Sequence, residues 1–179
     1  MSEETKKFYG KYRGTVVNNI DPMQRGRVQA LVPDVSNVML SSWAEPALPW
    51  GGIQTGLFTV PQIGAGVWIE FEQGDSDYPI WTGCYWGSAA ETPALAKMVP
   101  PAVSGITLQT TLQNGIVISD VPGPTGGIML KSTTGASIIV NDTGIYIQNG
   151  KGASLTMIGT TLTVTGTPVD VNMGAMTIT

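Results

Sequence analysis

From residue 127 onward, glycines fall at positions 127, 135, 144, 152, 159, 166 and 174, so one recurs every 7–9 residues to the end of the chain. Asn114-Gly115 and Gly126-Gly127 begin the same punctuation further upstream. Between these turn signals lie short runs in which apolar residues alternate with others: Ile106–Leu108, Ile116–Ile118, Ile128–Leu130, Ser137–Val140, Ile145–Ile147, Ser154–Ile158, Thr161–Val164 and Val169–Val171. Alternation of period two places one set of side chains on one face of a strand. A short regular repeat of this kind predicts a β-helix or solenoid.

Such a repeat cannot be a complete fold, because each strand has one apolar face and the sequence offers no helix or second layer to cover it. Several copies wound about one axis, with their apolar faces inward, supply the cover. On this reading the inward residues are Ile116, Ile118, Ile128, Leu130, Ile138, Val140, Ile145, Ile147, Leu155, Met157, Leu162, Val164, Val169 and Val171. Strands are expected to pair with strands of neighbouring copies, which removes exposed edges. They are also expected to shorten toward the C-terminus as in a taper, and to carry Thr, Ser and Asn outside. A sandwich half or a one-chain solenoid is the competing arrangement, and it leaves a lumen with too few bulky residues to fill it.

The chain divides by composition. Residues 101–179 hold five charged side chains, Asp120, Lys131, Asp142, Lys151 and Asp170, and all other charges and all five tryptophans lie earlier. Overall 12% of residues are charged, about half the usual share for a soluble protein, as expected of a surface that faces other protein. The earlier part reads as short strands over 9–20, 27–32, 42–48, 67–71 and 79–85, separated by Gly and Pro turns, which predicts a small closed barrel. Residues 88–104, rich in Ala, Pro and Ser, read as a linker with a helical turn near Ala94–Met98. The expected domains are thus a barrel with a short N-terminal arm over 1–87, the linker, and a spike over 105–179.

The segment Gly66–Gly87, GVWIEFEQGDSDYPIWTGCYWG, resembles the barrel of central-spike proteins of contractile injection machines, with Gly74, Asp75, Pro79 and Gly83 at the motif positions. Tyr12–Val35 is similar to that family's opening, a G-x-V followed by D-P-x-x-x-G-R-V and a Pro-Asp turn. Ser42–Trp50 and Pro61–Trp68 fit the strands between. The family includes phage baseplate assembly protein V, the T4-type tail spike and the type VI secretion spike. The resemblance implies an all-β chain: an oligonucleotide/oligosaccharide-binding (OB) barrel, then a trimeric, intertwined β-helical needle. It implies a homotrimer in a virion tail or injection-system baseplate, made in the host cytoplasm. The barrel end would dock on a tail hub and the needle would puncture the target envelope. Met173, Met176 and Ile178 would form a blunt end on which a PAAR-type tip protein sits.

Departures from the family limit what carries over. An eighteen-residue stretch, 87–104, stands where the T4-type spike has a lysozyme domain, and the chain starts at the barrel, so any hub is expected to be a separate protein. The chain has no histidine, so the iron-binding tip of some short phage spikes is not expected.

Enzyme chemistry is not expected. Histidine, the commonest base and metal ligand, is absent, and Cys84 is the single cysteine, read as a small buried apolar residue. No cofactor, catalytic or metal site is predicted. Glu70, Glu72, Asp75 and Asp77 form the one acidic cluster, and a strand face plus a hairpin turn accounts for it. The N-terminus lacks a secretory signal's apolar core, and no stretch approaches the roughly 18 apolar residues of a membrane helix. Lys11, Arg13, Arg25 and Arg27 beside Trp43, Trp50, Trp68 and Trp81 raise a rival class, a module binding sugar or single-stranded nucleic acid with a β-rich oligomerisation stalk. The net charge of -4 argues against a nucleic-acid partner.

Overall fold

The computed structural model describes residues 6–171 and 176–178, with side chains through Asp170. The chain forms two compact units, residues 1–91 and 92–179.

In the first unit the strands are β1 (Tyr12–Asn18), β2 (Gln29–Leu31), β3 (Glu45–Pro46), β4 (Gly51–Gly52), β5 (Thr55–Gly56), β6 (Gly66–Phe71) and β7 (Pro79–Tyr85), with one short helix, α1 (Pro33–Ser36). Five of them hydrogen-bond in the order β2-β1-β6-β7-β3. An antiparallel bridge between Val28 and Ala44 then joins the two ends of that order, closing the barrel. Alternation puts Val16 of β1, and Val67, Ile69 and Phe71 of β6, inside with Val28, Ala30, Val32, Ala44 and Trp81. Trp81 is buried and its indole Nε1 donates to the Gly26 carbonyl at 3.0 Å, so its one polar atom has a partner. Phe8 and Tyr12 pack on Phe71 with ring centroids 6.0 and 5.7 Å away, plugging one end of the core.

The second unit is an antiparallel meander of seven strands: β8 (Gly105–Gln109), β9 (Gly115–Ser119), β10 (Gly127–Lys131), β11 (Ser137–Asn141), β12 (Gly144–Gln148), β13 (Ser154–Ile158) and β14 (Thr161–Thr165). A separate hairpin, β15 (Val169–Val171) with β16 (Met176–Ile178), follows. The expected helical turn is present as a 3-10 segment over Leu95–Met98. Leu95 is buried against the start of β9, and its backbone N–H donates to the Gln109 side chain at 2.8 Å.

The seven strands are in continuous register. One row runs Ile106, Ile118, Ile128, Val140, Ile145, Met157, Leu162, and a second runs Leu108, Ile116, Leu130, Ile138, Ile147, Leu155, Val164. Both rows occupy one face. The turns are short and rich in Gly, Asn and Asp; at one of them the Asn141 Oδ1 accepts from the backbone N–H groups of Thr143 and Gly144. Gly127 has φ +81°, and a β-carbon there would run into the Val140 carbonyl, so glycine lets two backbones meet at that strand end.

Three expectations are corrected here. Ladder pairing is within the chain, β9 to β13 each bonding both predecessor and successor, because two- to seven-residue turns return the backbone at once. The shortening is a single step at the end rather than a gradual taper: β8 to β14 are five residues each, and β15 and β16 are three. The opposite face is not uniformly polar, since Val117, Met129, Ile139 and Tyr146 share its middle row before Thr156 and Thr163 take over.

Candidate oligomerisation surface

The two apolar rows form a continuous face of the second unit with no covering layer among the described residues. Ile138 is 41% exposed, Ile147 39% and Leu162 61%. Ile116, Ile118, Ile128, Leu130, Val140, Ile145 and Val164 are likewise exposed, while Leu155 and Met157 are half-buried. A contiguous apolar face of this extent marks a protein contact. Of the remaining candidates, Val169 and Val171 lie on β15, outside the seven-stranded sheet, and the Val171 side chain lies outside the described residues. Met173 falls outside the described residues altogether. Met176 and Ile178 lie on β16, and their side chains are outside the described ones. Ile106 and Leu108, which open the two rows, were missed as inward residues although their Ile-Thr-Leu alternation carries the same signal.

In the barrel, Gly74 (φ +76°) turns the chain after β6 beneath the Tyr9 ring. Asp75 holds the following turn, its Oδ1 accepting from the Asp77 backbone N–H at 3.1 Å. Pro79 is buried at the start of β7, and Gly83 sits at a bulge where Trp81 and Gly83 face the adjacent residues Ile69 and Trp68. These motif positions build the β6–β7 hairpin. Glu70 pairs with Lys11 at 2.7 Å and Asp75 lies 3.9 Å from Lys7.

The basic residues Lys11, Arg13, Arg25 and Arg27 each have a partner within the barrel unit. Arg25 pairs with Glu45 at 3.0 Å, and Arg13 stacks over Trp68 and Tyr85 with centroids 5.1 and 4.6 Å from the guanidinium carbon. Asp21, unremarked in the sequence beyond its Asp-Pro step, organises the loop before β2. Its carboxylate accepts from the Arg27 guanidinium at 2.6 Å and from the backbone N–H groups of Met23, Arg25 and Arg27. The Arg27 hydrogen bond, aided by those backbone donors, holds the Asp21 carboxyl well below the usual carboxylate range. Cys84, expected to be buried, is exposed, because the barrel core on β7 ends at Trp81.

A closed β-barrel followed by a seven-stranded sheet with an uncovered apolar face defines a β-structured assembly module. The chain belongs to the phage-baseplate and type VI secretion spike family. Residues 12–86 match the type VI secretion system/phage-baseplate injector OB domain, and residues 105–177 match the phage baseplate V C-terminal trimerisation domain. Among curated relatives, the type VI secretion system spike protein VgrG5 of Pseudomonas aeruginosa is 38% identical over 53 residues, 30% of this chain and 7% of that protein. The type VI secretion system spike protein VgrG3 of Vibrio cholerae is 39% identical over 62 residues, 32% of this chain and 6% of that protein. The actin cross-linking toxin VgrG1 of Vibrio cholerae is 38% identical over 64 residues, 34% of this chain and 6% of that protein. The chain thus spans a small part of the length of the relatives it matches.

Proposed function

We propose that this protein is the central spike of a contractile phage tail or related injection system, acting as a homotrimer. The observation that supports this most is the pair of apolar rows, uncovered along seven hydrogen-bonded strands, in the region matching a trimerisation domain. Three such sheets, turned inward, exclude water from the rows and leave the polar strand ends at the corners. Burying each Ile or Leu contributes about 1.5–3 kcal/mol, repeated in every copy. Stiffness is then the functional property. An axial load is shared among strands of which β9 to β13 are hydrogen-bonded on both sides, with side chains locked against two other copies.

In this role the barrel end seats on the tail hub and the C-terminal end accepts a small PAAR-type tip protein. The needle is driven through the target envelope when the sheath contracts, and the protein resides in the baseplate. The work is mechanical, and no side chain needs to react. Light scattering with a parallel unheated SDS gel tests the reading. A mass near three times 18.8 kDa, with a band that falls to monomer only on boiling, is expected. A monomer with one ordinary melting transition would overturn it.

A further inference from the structure

The seven-stranded sheet sorts its charges by edge. The turns between β8 and β9, β10 and β11, and β12 and β13 lie along one edge, and the alternate turns lie along the other. Lys131 at the end of β10 and Lys151 in the β12–β13 turn are both on the first edge. Asp120, just after β9, and Asp142, in the β11–β12 turn, are both on the second. These four are all the charged side chains of residues 105–165. None of them makes an ion pair within the chain, among the described residues; Asp142 accepts only a backbone bond from Gly123 at 3.0 Å.

We infer that the lysine edge of one copy docks on the aspartate edge of the next, with Lys131 meeting Asp120 and Lys151 meeting Asp142. This rests on the trimeric reading above and adds its direction and register. Closed rotational symmetry about the needle axis joins unlike edges all the way round, so each lysine edge meets an aspartate edge. Antiparallel association would join like edges and set Lys131 against the partner's lysine edge. Both proposed pairs also need the same displacement: Lys131 lies one strand beyond Asp120, and Lys151 one turn-to-turn step beyond Asp142. Rotation keeps all copies at one height, so a single inclination of the strands to the axis, setting the two edges of each sheet about 4.8 Å apart along it, satisfies both.

Shape agrees with charge. Two open grooves, of about 330 and 310 Å³, lie on the lysine edge, and Lys131 borders both. The first also exposes Asn114, Ser132 and Gln148 beside Leu130 and Ile138. The longest turn on the opposite edge, residues 120–126, begins at Asp120 and carries a 3-10 segment over Gly123–Thr125. That turn of a second copy is the occupant we assign to the groove. Exposed ion pairs add little affinity but penalise wrong pairings, so their contribution is to make all tips point the same way.

Disulfide trapping in the full chain tests this. Within one copy the two edges are separated by a five-residue strand, roughly 14 Å, too far for a disulfide, which needs Cα atoms about 4.4–6.8 Å apart. In a Cys84→Ser background, Lys131→Cys with Asp120→Cys should therefore give, on oxidation, a covalent dimer and then a covalent trimer on a non-reducing gel. Each single cysteine should give monomer. Parent chains that scatter light as trimers while the pair fails to cross-link would overturn the edge assignment and leave the trimer intact. Cross-linking by Lys131→Cys alone would overturn the parallel arrangement. A monomeric parent would overturn the trimeric reading and this inference with it. Should the cysteine pair not fold, melting of the charge variants decides. Lys131→Asp should lower the trimer's transition, and adding Asp120→Lys should recover at least half the loss, whereas no recovery would overturn the pairing.

Discussion

In the barrel, Val28, Ala30, Val67 and Ile69 are fully buried, whereas the equally apolar Ile116, Ile138 and Ile147 of the seven-stranded sheet remain more than a third exposed. Both regions use period-two alternation, although the barrel's strands range from two to seven residues and the sheet's are all five. They differ in closure. The Val28–Ala44 bridge bends one sheet onto itself, so its inward face finds its own partner, and the meander has no such bridge among the described residues. The barrel is complete as a single chain, while the sheet is complete only in company. Since all five tryptophans lie at or before Trp86, indole fluorescence reports on the barrel alone, and the two regions can be followed separately.

The largest effect should come from Ile138→Asp. It would place a carboxylate from every copy on the inward face, where an unpaired buried charge costs several kcal/mol. The trimer mass by light scattering should be lost while the tryptophan transition stays in place; loss of both together would mean that the barrel depends on the needle. Next, Ile69→Ala should cost the barrel about 2–5 kcal/mol through the cavity it leaves. That cost should appear as an earlier fluorescence transition with the trimer mass unchanged. Gly127→Ala, at a positive φ against the Val140 carbonyl, should destabilise the needle by about 1–3 kcal/mol, read as earlier loss of the SDS-resistant band.

The smallest effect at neutral pH belongs to Asp21→Asn, which should lower the barrel's melting point and leave the needle unchanged. Its pH dependence is distinctive. The folded carboxyl titrates below its ordinary value of about 3.9, so the ionised group contributes full stability above that pH and loses it as pH falls toward the depressed folded value. The gap between wild type and variant should therefore hold at pH 5 and narrow only below about pH 4, as read by fluorescence melting across that range.

Much of this architecture could be read from residue patterns. Glycine spacing and alternation located the strands of the second unit, and Ile128 with Leu130, or Ile145 with Ile147, share one face of the sheet as alternation requires. What alternation cannot reveal is which backbone a strand's N–H groups find. Partner choice depends on turn length and geometry, and the short turns over 110–114 and Asp142-Thr143 return the chain to itself. The same limit hid the apolar row of the opposite face, because Val117, Met129 and Ile139 lie between apolar neighbours of similar size and look like parts of one apolar run. In the barrel, the Trp-Ile-Glu-Phe strand and the Gly-Asp turn were recognisable. The role of Asp21 was not, since its partner Arg27 and the three N–H groups converge on it only once the loop has closed.

The equal length and alternating direction of β8 to β14 give the needle a parity. Adding or deleting a whole hairpin changes its reach by roughly 10 Å and returns every later residue to the edge it occupied before. Adding a single strand would send all subsequent turns, Lys151 among them, to the opposite side. A whole hairpin is thus the smallest step that changes the needle's length while leaving every later residue on its own edge.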